Sequence, residues 1–343
     1  MNRLFRYLLI LTALMALSCQ KGLTDDDYAS VKVAVQVPGA AMTKAFGDGL
    51  SAGNLVLAVF DETGAELPEL RQGDWTKSQS EITFTSTSAS GNPQTFVDVR
   101  LVKGKSYTIV LWAQNKGLSC YDFSDMNNIK VDYTKDNAAN VEARDAFYAC
   151  VSTGVVTGNV DVEAELKRPF AQLNIGTTPE DFDAARAAGL DIDNLYLSVT
   201  VNRAATKIQT DHGKLSYDIS TDDSDLVTAQ FTPGLSLISD SHSSEEREML
   251  VVKIDGNENV YEWLGVNYIL APVENDENRV VTLTLYEGTP ENPTKLPLVT
   301  YDVKNVPFKA NYKTHLTGNI LTSVGQLEVI VTPGFLNDKI STH

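Results

Sequence analysis

Alternating apolar and polar residues mark strands along most of the chain. Residues 31–37 (VKVAVQV) show the pattern most clearly, because four valines fall on one face and the residues between them on the other. Similar runs are rich in Val, Ile, Thr and aromatic residues and end at Gly, Asn, Asp or Pro clusters, as β-strands do. The further predicted strands are 55–60, 82–87, 96–102, 107–112, 170–175, 195–201, 249–254, 280–286, 298–303, 312–321 and 327–332.

One segment carries clear helix signals. Thr178 can cap a helix, Pro179 suits its first position, and Glu180 and Asp181 complement the helix dipole. Gly189 can end it. Because this segment connects two predicted strands, the sequence predicts an all-β fold with one short helix on a connection.

The strand pattern divides near the middle of the chain. Residues 167–169 (KRP) interrupt it, and the six residues from Asn54 (NLVLAV) are echoed by those from Asn194 (NLYLSV). Residues 107–109 (YTI) and 268–270 (YIL) make a weaker second echo. We therefore predict two β-sandwich domains of similar design, residues 45–168 and 169–343.

The N-terminus has the features of an export signal. Arg3 and Arg6 precede an apolar run of ten residues, 8–17, which is too short to span a bilayer. The run ends in Ser18-Cys19, similar to a bacterial lipobox, in which the cysteine is acylated and becomes the new N-terminus. We expect a signal peptide over 1–18 and lipid attachment at Cys19. The alternative is an ordinary signal peptide with an incidental cysteine.

Composition excludes some classes of function. The 343 residues include 45 acidic and 28 basic ones, for a net charge of −17, which argues against nucleic-acid binding. The four histidines and three cysteines are scattered, so we expect no metal cluster. Cys120 and Cys150 form an even pair in an exported protein, and the sequence leaves a disulfide or two buried thiols equally open.

The chain has no sequence motif for catalysis. It lacks a Gly-rich phosphate loop and a nucleophile elbow, and no cofactor is expected. The acidic residues at 222, 223 and 225 fit a solvated turn better than a calcium loop. Trp112 and Trp263 lie in or beside strands and are expected in the core, whereas Trp75 lies in a polar stretch. The sequence therefore predicts a protein that is not an enzyme.

Several segments resemble the Bacteroidales fimbrillins, which are subunits of type V pili and related surface lipoproteins. These segments are 43–49 (TKAFGDG), 112–114 (WAQ), 145–147 (DAF), 168–177 (RPFAQLNIGT) and 312–319 (YKTHLTGN). The resemblance implies two transthyretin-like β-sandwiches, export as a lipoprotein, removal of an N-terminal segment, and polymerisation by strand exchange. In the family the cut typically follows an arginine. Here the matching position is Lys44, so the protease must accept lysine to leave Ala45 as the new N-terminus.

The terminal strands suit this assembly on physical grounds. A cut after Lys44 would remove a lipidated segment, 19–44, which contains the strand at 31–37. Its loss would expose an apolar groove with unpaired edges. Near the other end, Leu327, Val329 and Val331 share one strand face and could fill a neighbour's groove. The alternative is that both are ordinary terminal strands of a monomer.

We therefore expect a structural and adhesive subunit of cell-surface fimbriae, located at the outer membrane through its lipid anchor. Its partners would be other fimbrial subunits, either copies of itself or related pilins, and a host or bacterial surface ligand. The rival hypothesis is a monomeric outer-membrane lipoprotein that binds glycans through exposed aromatic residues such as Trp75.

Overall fold

A computed structural model gives the fold and confirms the all-β prediction. It describes residues 23–37, 49–88, 91–211, 216–231, 249–271, 278–289, 292–293, 298–322 and 327–333. Within these residues the chain forms strands β1 to β22 and one α-helix, α1, at Pro179–Ala187.

The first ten strands precede residue 168. They are β1 (Tyr28–Gln36), β2 (Asn54–Phe60), β3 (Ile82–Thr83), β4 (Ser86–Thr87), β5 (Pro93–Val102), β6 (Ser106–Gln114), β7 (Tyr121–Asp122), β8 (Asn128–Val131), β9 (Phe147–Val155) and β10 (Val160–Glu165). The following strands are β11 (Phe170–Thr177), β12 (Leu195–Ala205), β13 (Lys207–Asp211), β14 (Ser216–Ile219), β15 (Leu226–Phe231), β16 (Met249–Ile254), β17 (Asn257–Leu270), β18 (Val280–Thr289), β19 (Asn292–Pro293), β20 (Val299–Lys304), β21 (Tyr312–Gly318) and β22 (Glu328–Pro333). Short 3-10 helices lie at Asp25–Asp27, Pro68–Leu70, Trp75–Lys77, Glu142–Arg144, Ile192–Asn194 and Asp223–Asp225.

Two sheets build a sandwich from the first part of the chain. One has the strand order β10-β1-β5-β4 and the other β3-β2-β6-β9. Their inner faces enclose one hydrophobic core, to which β1 contributes valines and β2 contributes Leu55, Leu57 and Val59. The alternation of β1 follows from this position, since one of its faces lines the core and the other faces water.

The second part of the chain repeats this pairing. Strand β11 is antiparallel to β17 and parallel to β21, as β1 is antiparallel to β5 and parallel to β10. The sheet β16-β17-β11-β21-β22 packs against a second sheet that contains β15, β12, β18, β19 and β20. The echoed sequences at Asn54 and Asn194 thus introduce β2 and β12, which occupy similar places in the two repeats.

Strand β2 lies between the core of the first sandwich and the core of the second repeat. All seven residues of β2 are buried, because Val56, Ala58 and Phe60 face away from the first core and pack into the cluster that fills the second repeat. A further sheet, β14-β13-β8-β7, joins strands from both sides of residue 168. The predicted boundary at residue 168 falls between β10 and β11, and the domain limits stay a prediction.

A buried ion pair lies at this junction. Arg168 donates two hydrogen bonds of 2.6 Å, from Nε and Nη2, to the two carboxylate oxygens of Asp145, and both side chains are almost fully buried. The guanidinium also lies 4.7 Å from the ring centroid of Phe147. This geometry satisfies both charges, which is the condition for burying them.

Helix α1 forms where the sequence predicts it. The Thr178 side chain accepts a hydrogen bond from the Asp181 amide, Pro179 opens the helix, and Gly189 follows it with a φ of +87°. The Asp181 carboxylate in turn accepts bonds from the amides of Leu321 and Thr322. Burial opposes ionisation of Asp181, but its hydrogen bonds, led by the one from the Thr177 hydroxyl, hold its pKa below the usual value.

Candidate assembly interface

Strand β1 and the residue that follows it place four buried valines in the core of the first sandwich. Val31, Val33 and Val35 are fully buried and Val37 is 1% exposed. They pack against residues of both sheets in the first sandwich, including Leu101 and Leu111. Burying a valine contributes about 1.5–3 kcal/mol, so four such side chains form a large part of the stability of this core.

Both edges of β1 are paired. It runs antiparallel to β5 over nine residue pairs, from Tyr28–Val102 to Gln36–Gln94. On its other side it runs parallel to β10 over six pairs, from Val31–Val160 to Gln36–Glu165. Taking β1 away would therefore leave two strands with unpaired backbone groups facing each other across an apolar slot, which we call the β1 slot.

The start of β1 is fixed by polar contacts. The Thr24 amide and hydroxyl donate to the Asp27 carboxylate at 2.7 and 2.9 Å, and Arg100 pairs with Asp25. The Lys103 ammonium donates to the Asp26 carbonyl at 2.7 Å. The acidic run at 25–27 thus caps the turn that leads the chain into β1.

The other end of β1 leads directly into the segment that contains the predicted cut. The Val37 amide donates to the Pro93 carbonyl at 3.0 Å, and residues 38–48 lie outside the described residues. The described residues resume at Gly49, which has a φ of +77°. A β-carbon at position 49 would lie 2.9 Å from the Val37 side chain, so the two residues are in close contact. Val37 and Gly49 therefore bring the two ends of the intervening segment together.

A cavity lies at each end of β1. The cavity beyond Val37 has a volume of about 420 Å³ and is lined by Leu50, Phe84 and Pro93 among others. The cavity at the start of the strand has a volume of about 260 Å³ and includes Tyr28 and Arg100 in its lining. Each end of β1 thus borders on a cavity lined by described residues.

The C-terminal strand is held differently. In the described part of the chain, β22 pairs with β21 alone and forms the end of its sheet. Leu327 and Val329 are half-buried against the main core, and Val331 is 40% exposed. The opposite face is not polar throughout, because Ile330 packs against a separate small cluster that includes Trp263. The candidate donor strand is therefore only partly buried in its own chain.

A buried histidine contacts this strand. The His315 ring lies on β21 with Nε2 2.9 Å from the Thr332 hydroxyl and Nδ1 3.4 Å from the Asn174 amide nitrogen. Burial, with a further contribution from Lys313, lowers the pKa of His315 to about 4. The sequence pattern alone could not reveal this contact, because it depends on the pairing of β21 with β22.

The remaining predicted site residues divide into two groups. Cys19, Lys44 and Ala45 lie outside the described residues, so lipid attachment and processing there stay predictions. Cys120 is buried and Cys150 is half-buried, and the described residues hold no disulfide between them. Burial raises the pKa of the Cys120 thiol to about 11, which keeps it protonated and unreactive.

The tryptophans mainly belong to the core. Trp112 is fully buried and its indole donates to the Gln114 side chain at 2.7 Å, while Trp263 is 7% exposed. These two positions confirm the sequence prediction. Trp75 is half-buried, with its ring 5.1 Å from that of Phe123, so part of its surface is already occupied within the protein.

The described residues offer no cluster of three or more His, Cys, Asp or Glu side chains able to hold a metal ion. Across the same residues, no helix has the length and apolar character needed to cross a membrane.

Three solved structures illustrate what the fold is similar to. A fimbrial assembly protein from Parabacteroides distasonis is 14% identical with a TM-score of 0.42, covering 90% of this chain and 97% of that chain. The fimbrial anchor protein Mfa2 from Porphyromonas gingivalis is 10% identical with a TM-score of 0.38, covering 89% of this chain and 98% of that chain. A proposed polysaccharide-binding protein (DUF1812) from Bacteroides thetaiotaomicron is 14% identical with a TM-score of 0.45, covering 89% of this chain and 98% of that chain.

Fimbrial proteins of the Bacteroidales are thus among the structural neighbours. Likeness at these identities and scores does not transfer a function to this chain. No curated protein matches it. The sequence profile of one family, described as a family of unknown function (DUF6562), matches residues 24–343. Because this match spans nearly the whole chain, the protein belongs to that family of unknown function.

Proposed function

We propose that the protein is a structural and adhesive subunit of cell-surface fimbriae that assembles by strand exchange at the β1 slot. The observation that carries the proposal is the position of β1, a central strand with three buried valines, and a fourth, Val37, directly after it. This strand lies ahead of the predicted cut at Lys44. One backbone cleavage between β1 and β2 is enough to make this strand a separate, replaceable piece.

The physical consequence of such a cut is a binding site for another strand. Once β1 leaves, β5 and β10 have unpaired amides and carbonyls and an apolar floor between them. Without the valines of β1, the apolar floor of the slot is exposed to water. An incoming strand with alternating apolar residues is therefore stabilised both by backbone pairing and by burial of that surface. The cut would therefore convert a closed monomer into an acceptor.

The chain also supplies a suitable donor. Strand β22 lies at the end of its sheet in the described residues, and its Leu327, Val329 and Val331 share one face. Since these side chains are only partly buried, releasing the strand costs less than releasing a central one. In an assembly this face would take the place of the valines in the slot of the next subunit.

Export and anchoring complete the proposal. Acylation at Cys19 would hold the uncut precursor at the outer membrane, and removal of residues 19–44 would release the subunit from that anchor into the fimbrium. Its partners are then other fimbrial subunits, with a host or bacterial surface ligand for the exposed fimbrium.

The test is to cut the purified protein and follow its size. Digestion with a trypsin-like protease should release the segment that ends at Lys44 and yield oligomers on size-exclusion chromatography that heating dissociates. A Lys44→Gln variant should stay uncut and monomeric. A Val329→Asp variant should be cut but should not assemble, because it places an unpaired carboxylate in the slot. Cut protein that remains monomeric at all concentrations would contradict the proposal.

A further inference from the structure

The solvent side of the β1 slot carries a strong charge pattern that the apolar floor does not explain. Three residues of β10, Asp161, Glu163 and Glu165, alternate with its inward-facing residues and are all exposed. On the other side of the slot, Asp98 of β5 is also exposed. The rim therefore has a continuous acidic row along β10, while β5 adds Asp98 and, beside the start of β1, Arg100, which pairs with Asp25.

The strand that now fills the slot matches this rim. Lys32 lies directly between Asp161 of β10 and Asp98 of β5 in the pairing register. Its ammonium also lies 4.5 Å from the ring centroid of Phe96. The other outward residues that face the acidic row, Ala34 and Gln36, are uncharged. Strand β1 thus places one positive charge and no negative charge beside four carboxylates.

The chain's own C-terminal strand does not match the charge of this rim. When Leu327, Val329 and Val331 take the places of Val31, Val33 and Val35, the outward residues are Glu328, Ile330 and Thr332, and Glu328 takes the place of Lys32. Glu328 would then lie beside the acidic row, and no outward residue would supply a positive charge. Like charges directly across a strand pair destabilise it, whereas opposite charges stabilise it.

We propose that the acidic rim of the β1 slot selects a donor strand with lysine or arginine on its solvent face. The preferred partner is a related subunit whose terminal strand alternates β-branched apolar residues with basic ones; a second copy of this chain is the weaker donor and assembles at higher protein concentration. This inference rests on the proposed function, because it concerns the strand that replaces β1. The apolar floor provides affinity and the charged rim provides selection between donors.

The test uses synthetic peptides and the protease-treated full-length protein. A fluorescent peptide of residues 28–37 should bind to the emptied slot, and its Lys32→Glu version should bind about tenfold more weakly, because two favourable cross-strand pairs become unfavourable. A peptide of residues 326–333 should bind weakly, and its Glu328→Lys version should gain about tenfold. In 1 M NaCl, where charges are screened beyond about 3 Å, these differences should shrink to about twofold or less.

A charge reversal on the protein is the matched control. Asp161 lies directly across from the Lys32 position and is exposed, so Asp161→Lys should leave the fold intact and should reduce the preference for the Glu328→Lys peptide over the 326–333 peptide. If the peptides bind equally whatever their charge, the selection inference is wrong while the slot itself stands. If no peptide binds to the cut protein, the slot does not accept strands and the proposed function fails.

Discussion

Replacing Val33 with alanine should lower the stability of the uncut protein against unfolding and should leave the stability of the cut protein unchanged. Val33 is fully buried at the centre of β1, between the sheets of the first sandwich. The substitution removes two methyl groups, each worth about 0.8 kcal/mol of burial, and leaves a small cavity. The expected loss is about 2 kcal/mol in the free energy of unfolding.

Urea unfolding followed by circular dichroism measures this loss as a lower midpoint. Ser30→Ala is the matched control on the same strand, because the Ser30 side chain is exposed and its backbone amide keeps its 2.9 Å hydrogen bond to Asn159. The control should lie within about 0.5 kcal/mol of wild type, as surface substitutions usually do.

Protease treatment provides the decisive comparison. After the cut and release of residues 1–44, both variants and the wild-type protein have the same sequence, and their midpoints should coincide. Loss of β1 should also lower the midpoint of the cut protein below that of every uncut form. A Val33→Ala midpoint equal to that of Ser30→Ala would show that the Val33 side chain contributes nothing to the stability of the core, and strand β1 would not be needed to fill it.

Three further predictions test other parts of the account. Arg168→Met should destabilise the protein by about 3–5 kcal/mol in urea unfolding, because it leaves the Asp145 carboxylate buried without its partner; a change below 1 kcal/mol would mean that the charge is solvated. His315 has a pKa of about 4 when folded and about 6.5 when unfolded, so the unfolded state binds the extra proton and stability should fall by about 3 kcal/mol as pH drops from 6.5 to 4. His315→Gln should flatten that pH profile, and an unchanged profile would assign the loss to other groups. Cys19→Ala should abolish labelled-palmitate incorporation and membrane retention, and label that survives the substitution would exclude lipid attachment at this cysteine.

Local pattern was enough to predict the helix and many of the strands, but it missed β9, β10 and β17 and joined β3 and β4 into one strand. The strand at 31–37 alternates because one side meets the core and the other meets water, and the signals at Thr178, Pro179 and Gly189 act within a few residues of each other. The continuous apolar run of β2 likewise reflects burial on both faces. These features depend on the immediate environment of each residue.

Pairing between distant strands could not be predicted in the same way. The parallel contact of β1 with β10 joins residues about 130 positions apart, and nothing in either sequence specifies direction or partner. The short strands β8 and β13 carry weak signals, and their pairing across residue 168 became visible only in the fold. The acidic rim has the same origin, because Asp98 and Asp161 face one another only once β1 lies between their strands.

The most direct test of the central claim is N-terminal sequencing, with size analysis, of the protein isolated from the cell surface. Strand exchange at the β1 slot predicts a mature chain that begins at Ala45, lacks β1, and runs as a ladder of oligomers that heating dissociates. A monomer that still begins at an acylated Cys19 and retains β1 would contradict it, and would favour the monomeric surface lipoprotein instead.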